Sequence, residues 1–170
     1  MFDPFYITRL IEFSSEAHAT QITHWRKAFR KFDGRTPYSV HLIWCAMTIL
    51  AEPLLDKQLR WKGMQVLLLH DILEDTTSNP PRWTHHSIRE SVEEMSFAGG
   101  FAEEVEQIWN RDDECKLFKL YDKVHNLMDG SWMSAEKRQQ YAAHTLQLAN
   151  SVEQTYGTLN IVKISRAICT

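Results

Sequence analysis

Apolar residues recur along this chain at helical spacing and almost nowhere in strict alternation. Phe5, Ile7, Leu10, Ile11 and Phe13 predict a first helix that Ala17 and His18 extend. A polar, basic segment then runs into Asp33-Gly34-Arg35-Thr36-Pro37-Tyr38, where Gly and Pro mark a loop flanked by Arg30, Lys31 and Tyr38. Val40 through Leu50 reads as a buried helix stopped before Pro53, because proline disfavours helical geometry in the residue ahead of it. Trp61, Met64, Val66, Leu67 and Leu68 carry a third helix through His70-Asp71 toward Thr76-Thr77-Ser78-Asn79-Pro80-Pro81, a loop. Thr84 is expected to cap a helix reaching about Met95, with Ile88, Val92 and Met95 as its stripe. After Gly99-Gly100, the residues Phe101, Val105, Ile108 and Trp109 define a short helix. Asp112-Asp113-Glu114 precede a helix from about Cys115 to Met128, where acidic groups suit the positive dipole end. Ser134 caps a long helix ending at Gly157, with Tyr141, Leu148 and Val152 inward, and Ile161 to Ile168 forms a last one. The pattern predicts an all-α fold, an irregular helical bundle in a single domain over residues 1–170.

Composition narrows the class without naming a task. The chain is 44% hydrophobic and 24% charged, as ordinary soluble globular proteins are. A formal charge of -3 argues against a broad nucleic-acid-binding surface, so no polymer partner is expected. Charge is unevenly spread: Arg26, Lys27, Arg30, Lys31 and Arg35 cluster, whereas Glu90 to Glu114 is mostly acidic. A local basic patch in an acidic protein suits a small anionic ligand. Cys45, Cys115 and Cys169 lack CxxC spacing, which predicts free thiols in a reducing compartment. Met1-Phe2-Asp3-Pro4 has no basic signal-peptide region, and the longest apolar run, Leu42 to Ala51, is too short to span a bilayer. A cytoplasmic protein without membrane contact is the expectation.

The densest chemistry lies in Leu67-Leu68-Leu69-His70-Asp71-Ile72-Leu73-Glu74-Asp75-Thr76. Read as one helix, this run puts His70 and Glu74 a turn apart, and Asp71 and Asp75 likewise. Buried charge is costly unless it is paired or bound to a metal, so folding alone does not explain such a cluster behind three leucines. His41 on one helix, His70 and Asp71 on a second and Asp122 on a third make a mixed N/O set suited to Mn, Fe, Co or Zn. Glu74 and Asp75 stand near enough to take a proton from an attacking water or protonate a leaving oxygen. Lys119, Asp122 and Asn126 share a helix face, where Lys119 suits phosphate oxygens and Asn126 a sugar or base. Arg30 and Lys31 suit phosphate or base contacts, although basic runs are often only solvated surface. His85-His86 read as loop residues, and His18, His24, His125 and His144 show no partner spacing.

Three stretches together carry a family resemblance. Arg30-Lys31 through Thr36-Pro37-Tyr38-Ser39-Val40-His41 is similar to an R-K-x-x-G-x-P-Y-x-x-H motif. Leu68 to Thr76 matches L-L-H-D-x-x-E-D-T, and Lys119 to Leu127 matches K-x-x-D-K-x-x-N-L. In this order they resemble the HD-domain phosphohydrolases, and within them the small alarmone hydrolases of the RelA/SpoT type. The resemblance implies an all-α HD bundle with one Mn2+ held by His41, His70, Asp71 and Asp122. It implies that Glu74 and Asp75 direct water onto the 3′-diphosphate of guanosine tetra- or pentaphosphate (ppGpp, pppGpp), releasing pyrophosphate. Arg30, Lys31 and Asn126 then fall where the family meets its nucleotide, and Tyr141 aligns with a ribose contact. The chain departs from the pattern in a short 100–118 segment, in Met128 where Arg is common and in Leu42 where Pro is common. Related activities on the same scaffold are a nucleotidase and a dNTP or NADPH phosphohydrolase; a non-catalytic nucleotide-binding regulator is the reading of another class.

Overall fold

The computed structural model describes residues 3–22 and 28–169; Met1, Phe2, His24, Arg26 and Lys27 lie outside them. The elements are helices: α1 Pro4–Thr20, α2 Ser39–Leu50, α3 Lys57–Leu69, α4 Ile72–Asp75, α5 His86–Met95, α6 Phe101–Gln107, α7 Asp113–Met128, α8 Ala135–Tyr156 and α9 Asn160–Ile168. Short 3-10 turns, Ile108–Asn110 and Gly130–Trp132, precede and follow α7. Among the described residues there is no strand, only isolated bridges between Ile22 and Thr76 and between Phe29 and Pro37. The all-α expectation holds. No helix among the described residues is long and apolar enough to cross a membrane.

Local chemistry sets most helix starts. Asp3, Asp56, Asp112 and Ser134 each turn a side-chain oxygen onto backbone N–H groups of the first turn, satisfying donors the helix itself leaves unpaired. The start of α5 differs from the expectation. Thr84 donates its hydroxyl backward to the Pro81 carbonyl at 2.7 Å, so it closes a turn, and His85 becomes the cap by accepting the Ser87 N–H.

Helix α3 is the centre of the packing. From Gly63 to Leu69 every residue is buried, on all sides of the helix, which identifies it as a core helix. Helix α2 lies along one side of it and α7 along another, and α7 in turn packs on α8 and α9. Gly63 permits this closeness: a Cβ there would stand 2.7 Å from Phe118 Cε1 and would also collide with Ile49 Cδ1. The three cysteines are unpaired thiols.

The expected helix across Leu67–Thr76 is broken. Helix α3 ends at Leu69, and Asp71 adopts φ -95 and ψ 3 before the single turn of α4. Adjacent residues on an unbroken helix point about 100° apart and do not face one another. At the break the two side chains do converge, with His70 Nε2 3.1 Å from Asp71 Oδ2. His70 and Glu74 belong to different helices and are not related by a helical turn.

Replacing Gly63 with Ala should lower the unfolding free energy by about 1–3 kcal/mol through overpacking. Urea denaturation measures it, as a lower midpoint with an unchanged slope.

Candidate metal centre and the pocket above it

His41 enters from the first turn of α2, His70 from the end of α3, Asp71 from the start of α4 and Asp122 from the middle of α7. All four are buried, and one nitrogen or oxygen from each lies within 4.8 Å of all the others. His70 Nε2 is 3.1 Å from Asp71 Oδ2, and His41 Nε2 is 3.3 Å from both His70 Nε2 and Asp122 Oδ1. Two further edges, His41 to Asp71 and His70 to Asp122, are 3.6 Å. Donors held about 2.0–2.2 Å from one ion at right to tetrahedral angles are separated by roughly 2.8–3.6 Å. These edges fit a divalent cation, and so does the chemistry of the donor set.

Each donor is also oriented from behind. His70 Nδ1 donates to the Leu67 carbonyl at 2.9 Å, so its Nε2 faces the cluster. His41 Nδ1 meets His125 Nδ1 at 2.8 Å. Asp71 Oδ2 accepts the Tyr38 hydroxyl at 2.5 Å, and Asp122 Oδ1 accepts from Asn126 Nδ2 at 2.5 Å. Burial drives the His41 pKa down to about 4, keeping its ring neutral. Burial opposes an imidazolium at His70 too, yet Asp71 and Asp122 raise its pKa to about 10. The two carboxylates thus demand positive charge at their meeting point, which a proton or a divalent cation supplies.

A cavity of about 220 Å3 opens over Asp71 and Asp122, and Glu74 and Asp75 line its wall. Glu74 Oε1 accepts the Phe97 N–H at 3.0 Å, and burial raises the Glu74 pKa. Arg30, Lys31, Lys119, Asn126 and Tyr141 line the same cavity, so all five candidate nucleotide contacts reach one place. Several are already engaged there. Arg30 forks onto Asp129 at 2.7 and 2.9 Å and donates to Asn126 Oδ1 at 2.7 Å. Lys119 lies 3.5 Å from Asp122 and 3.6 Å from Glu104, and the Tyr141 hydroxyl accepts from Lys123 at 3.0 Å.

Sequence reading missed Glu104, Lys123 and the second tier of histidines. Glu104 sits in a stretch that reads as solvated acid, yet it is buried, 2.6 Å from Lys123 and 3.1 Å from His144 Nε2. Burial alone lifts its pKa, but Lys123, Lys119 and His144 outweigh that and bring it to about 2. One signal was available: Lys119 and Lys123 flank Asp122 one turn apart on a helix otherwise buried, a position where two cations require counter-charge. His18 stacks on Tyr38 with ring centroids 5.0 Å apart, which no spacing announces.

The helical architecture is an all-α bundle that carries a buried two-His, two-Asp cluster at the base of a polar pocket. Among solved structures, the chain is similar to that of "a metazoan ortholog of SpoT" that "hydrolyzes ppGpp and plays a role in starvation responses". The TM-score is 0.72 at 19% identity, covering 99% of this chain and 96% of that one. At that identity the likeness establishes the fold. No protein-family model matches the chain, and no curated protein matches it.

Substituting Glu104→Gln strips one of two counter-charges, the other being Asp122, from a pair of buried ammonium groups and should cost about 3–5 kcal/mol. Since Glu104 binds its proton less readily folded than unfolded, its contribution is full above pH about 4.5 and fades as pH falls toward about 2. Urea midpoints of wild type and variant should therefore converge with acidification through that window.

Proposed function

We propose that this protein is a metal-dependent phosphohydrolase of a small phosphorylated nucleotide, with the 3′-diphosphate of a guanosine tetra- or pentaphosphate alarmone as first choice. The observation that carries the reading is the convergence of His41, His70, Asp71 and Asp122 at the floor of a pocket whose wall holds Glu74 and Asp75. Mn2+ is the first choice of ion, as the donor set suits borderline transition metals. Such an ion supplies Lewis acidity toward a phosphate and its attacking water.

The chain's own residues would divide the remaining work. Glu74, whose pKa burial raises, exchanges a proton with the attacking water or the leaving oxygen. Asp75 orients the same water from the next position on α4. Lys119 stabilises charge developing on phosphorus oxygens while it stays anchored by Asp122 and Glu104. Arg30, Lys31, Asn126 and Tyr141 shape the walls that receive the nucleotide.

Five carboxylates (Asp71, Glu74, Asp75, Glu104, Asp122) and five cationic side chains (Arg30, Lys31, Lys119, Lys123, Lys137) line this cavity. The protein alone offers a polyphosphate no large positive excess, so a divalent ion is needed for binding as well as for chemistry. A nucleotidase or a dNTP or NADPH phosphohydrolase would use the same centre. A non-catalytic nucleotide-binding regulator has no need of the acid–base pair at Glu74 and Asp75.

The deciding experiment incubates Mn-loaded protein with alarmones, nucleotides and NADPH and separates the products by ion exchange. Pyrophosphate release from ppGpp is expected; turnover of dNTPs alone would overturn the alarmone assignment, and no metal-dependent turnover of any substrate would leave the regulator. Asp122→Ala should lose metal and activity together, and elemental analysis finding the variant fully loaded removes Asp122 as a ligand. Glu74→Gln should retain the ion and turn over about 100-fold more slowly, in the usual range for an acid–base group. An unchanged rate excludes Glu74 from the mechanism.

A further inference from the structure

We propose that His125 is a positioning residue for the metal centre: in the ion-loaded protein its Nδ1 accepts the Nδ1–H of His41 and holds His41 with its Nε2 lone pair on the ion. The inference rests on reading His41, His70, Asp71 and Asp122 as the ion's ligands, and it assigns a role to a position that the K-x-x-D-K-x-x-N-L pattern leaves open.

Geometry carries it. His41 Nδ1 and His125 Nδ1 are 2.8 Å apart, between rings whose centroids are 4.9 Å apart. Two nitrogens at that distance share one proton, one donating and the other accepting. When an ion occupies His41 Nε2, the neutral ring carries its proton on Nδ1, so His125 must be the acceptor. The other group near this atom, Cys45 Sγ, is 3.9 Å away and turns its own S–H toward the Tyr121 carbonyl at 3.6 Å.

Ligating histidines generally donate their second nitrogen to an oxygen, as His70 does to Leu67. At His41 a carboxylate acceptor would put a third buried negative charge beside Asp71 and Asp122, which a neutral imidazole avoids. Asp122 and His125 lie one turn apart on α7. A single helix thus delivers one ligand and the hook that orients another, coupling the α2–α7 packing to the shape of the ion site. Trp44 covers the outer face of His125, with ring centroids 4.7 Å apart, and leaves the residue only 9% exposed. Little water reaches the hook to replace it.

His125→Leu removes the acceptor at similar volume, whereas His125→Asn returns an oxygen close to the place of Nδ1. Co2+ affinity, measured by chelator competition, should fall about 10–100-fold in the Leu variant, the usual effect of losing such a partner. Asn should recover most of that loss while both variants keep similar urea midpoints. In Zn2+-loaded wild type, imidazole nitrogen shifts should show His125 protonated on Nε2 and bare on Nδ1; this reading needs no variant to fold. Wild-type affinity in the Leu variant, no recovery with Asn, or a His125 proton on Nδ1 would each overturn the hook. A wild type that takes up neither Co2+ nor Zn2+ overturns the metal reading and the hook with it. That result is distinct from one in which wild type and Leu variant bind equally well.

Discussion

The Asp122 carboxylate is buried with its two oxygens serving different neighbours, and the structure is arranged around that division. Oδ1 faces His41 and His70 at 3.3 and 3.6 Å and accepts from Asn126, while Oδ2 faces Lys123 and Lys119 at 3.2 and 3.5 Å. An isolated buried carboxylate costs several kcal/mol, and neither set of partners is optional once the other is fixed. The lysines hold the Asp122 pKa well below its ordinary range despite burial, so the oxygen facing the histidines stays charged. The carboxylate oxygen facing the two histidines is thereby kept ionised by groups outside the His-Asp cluster.

Compensation spreads outward from there and ties distant helices together. Lys123 and Lys119 require Glu104, which brings in α6, and Glu104 takes His144 from α8. On the other side Asn126 accepts from Arg30, whose guanidinium is clamped on Asp129 just past the end of α7. The loop preceding α2 is held by that clamp and by the Arg30 N–H bonded to the Thr36 carbonyl at 2.8 Å. Tyr38, at the end of this loop, then reaches Asp71 with its hydroxyl. The segment carrying the first motif is fastened to the same charged centre as the other two.

Much of this was legible in the chain because it is written in local chemistry. Helical apolar spacing located the helices, while Ser134 and the acidic run at 112–114 marked two starts and Gly157 an end. His70 and Asp71 stood out because a His and an Asp behind three leucines have no packing reason to be there, and His41 and Asp122 joined them as candidate ligands from other helices. Less legible was whatever depends on tertiary compensation. The break at His70-Asp71 carries no Gly or Pro, and Ile72-Leu73 continue the apolar run; it is held by Asp71's contacts to Tyr38 and His70 rather than by local propensity. Glu104 read as surface because its counter-charges lie on another helix. His125 read as partnerless because its partner is 84 residues away.

The break also sets what chemistry the site can perform. Helix α3 ends at Leu69, and the turn at Asp71 leaves Glu74 and Asp75 on a separate one-turn helix that lines the cavity together with Asp71. The two pairs of neighbouring residues stand under different constraints. His70 and Asp71 are locked by buried partners, whereas Glu74 is half-buried and held by one hydrogen bond to the Phe97 N–H. On the proposed reading that difference has a purpose. A ligand must not move during turnover, but a group that accepts and returns a proton must keep access to the cavity, as half-buried Glu74 does on its wall.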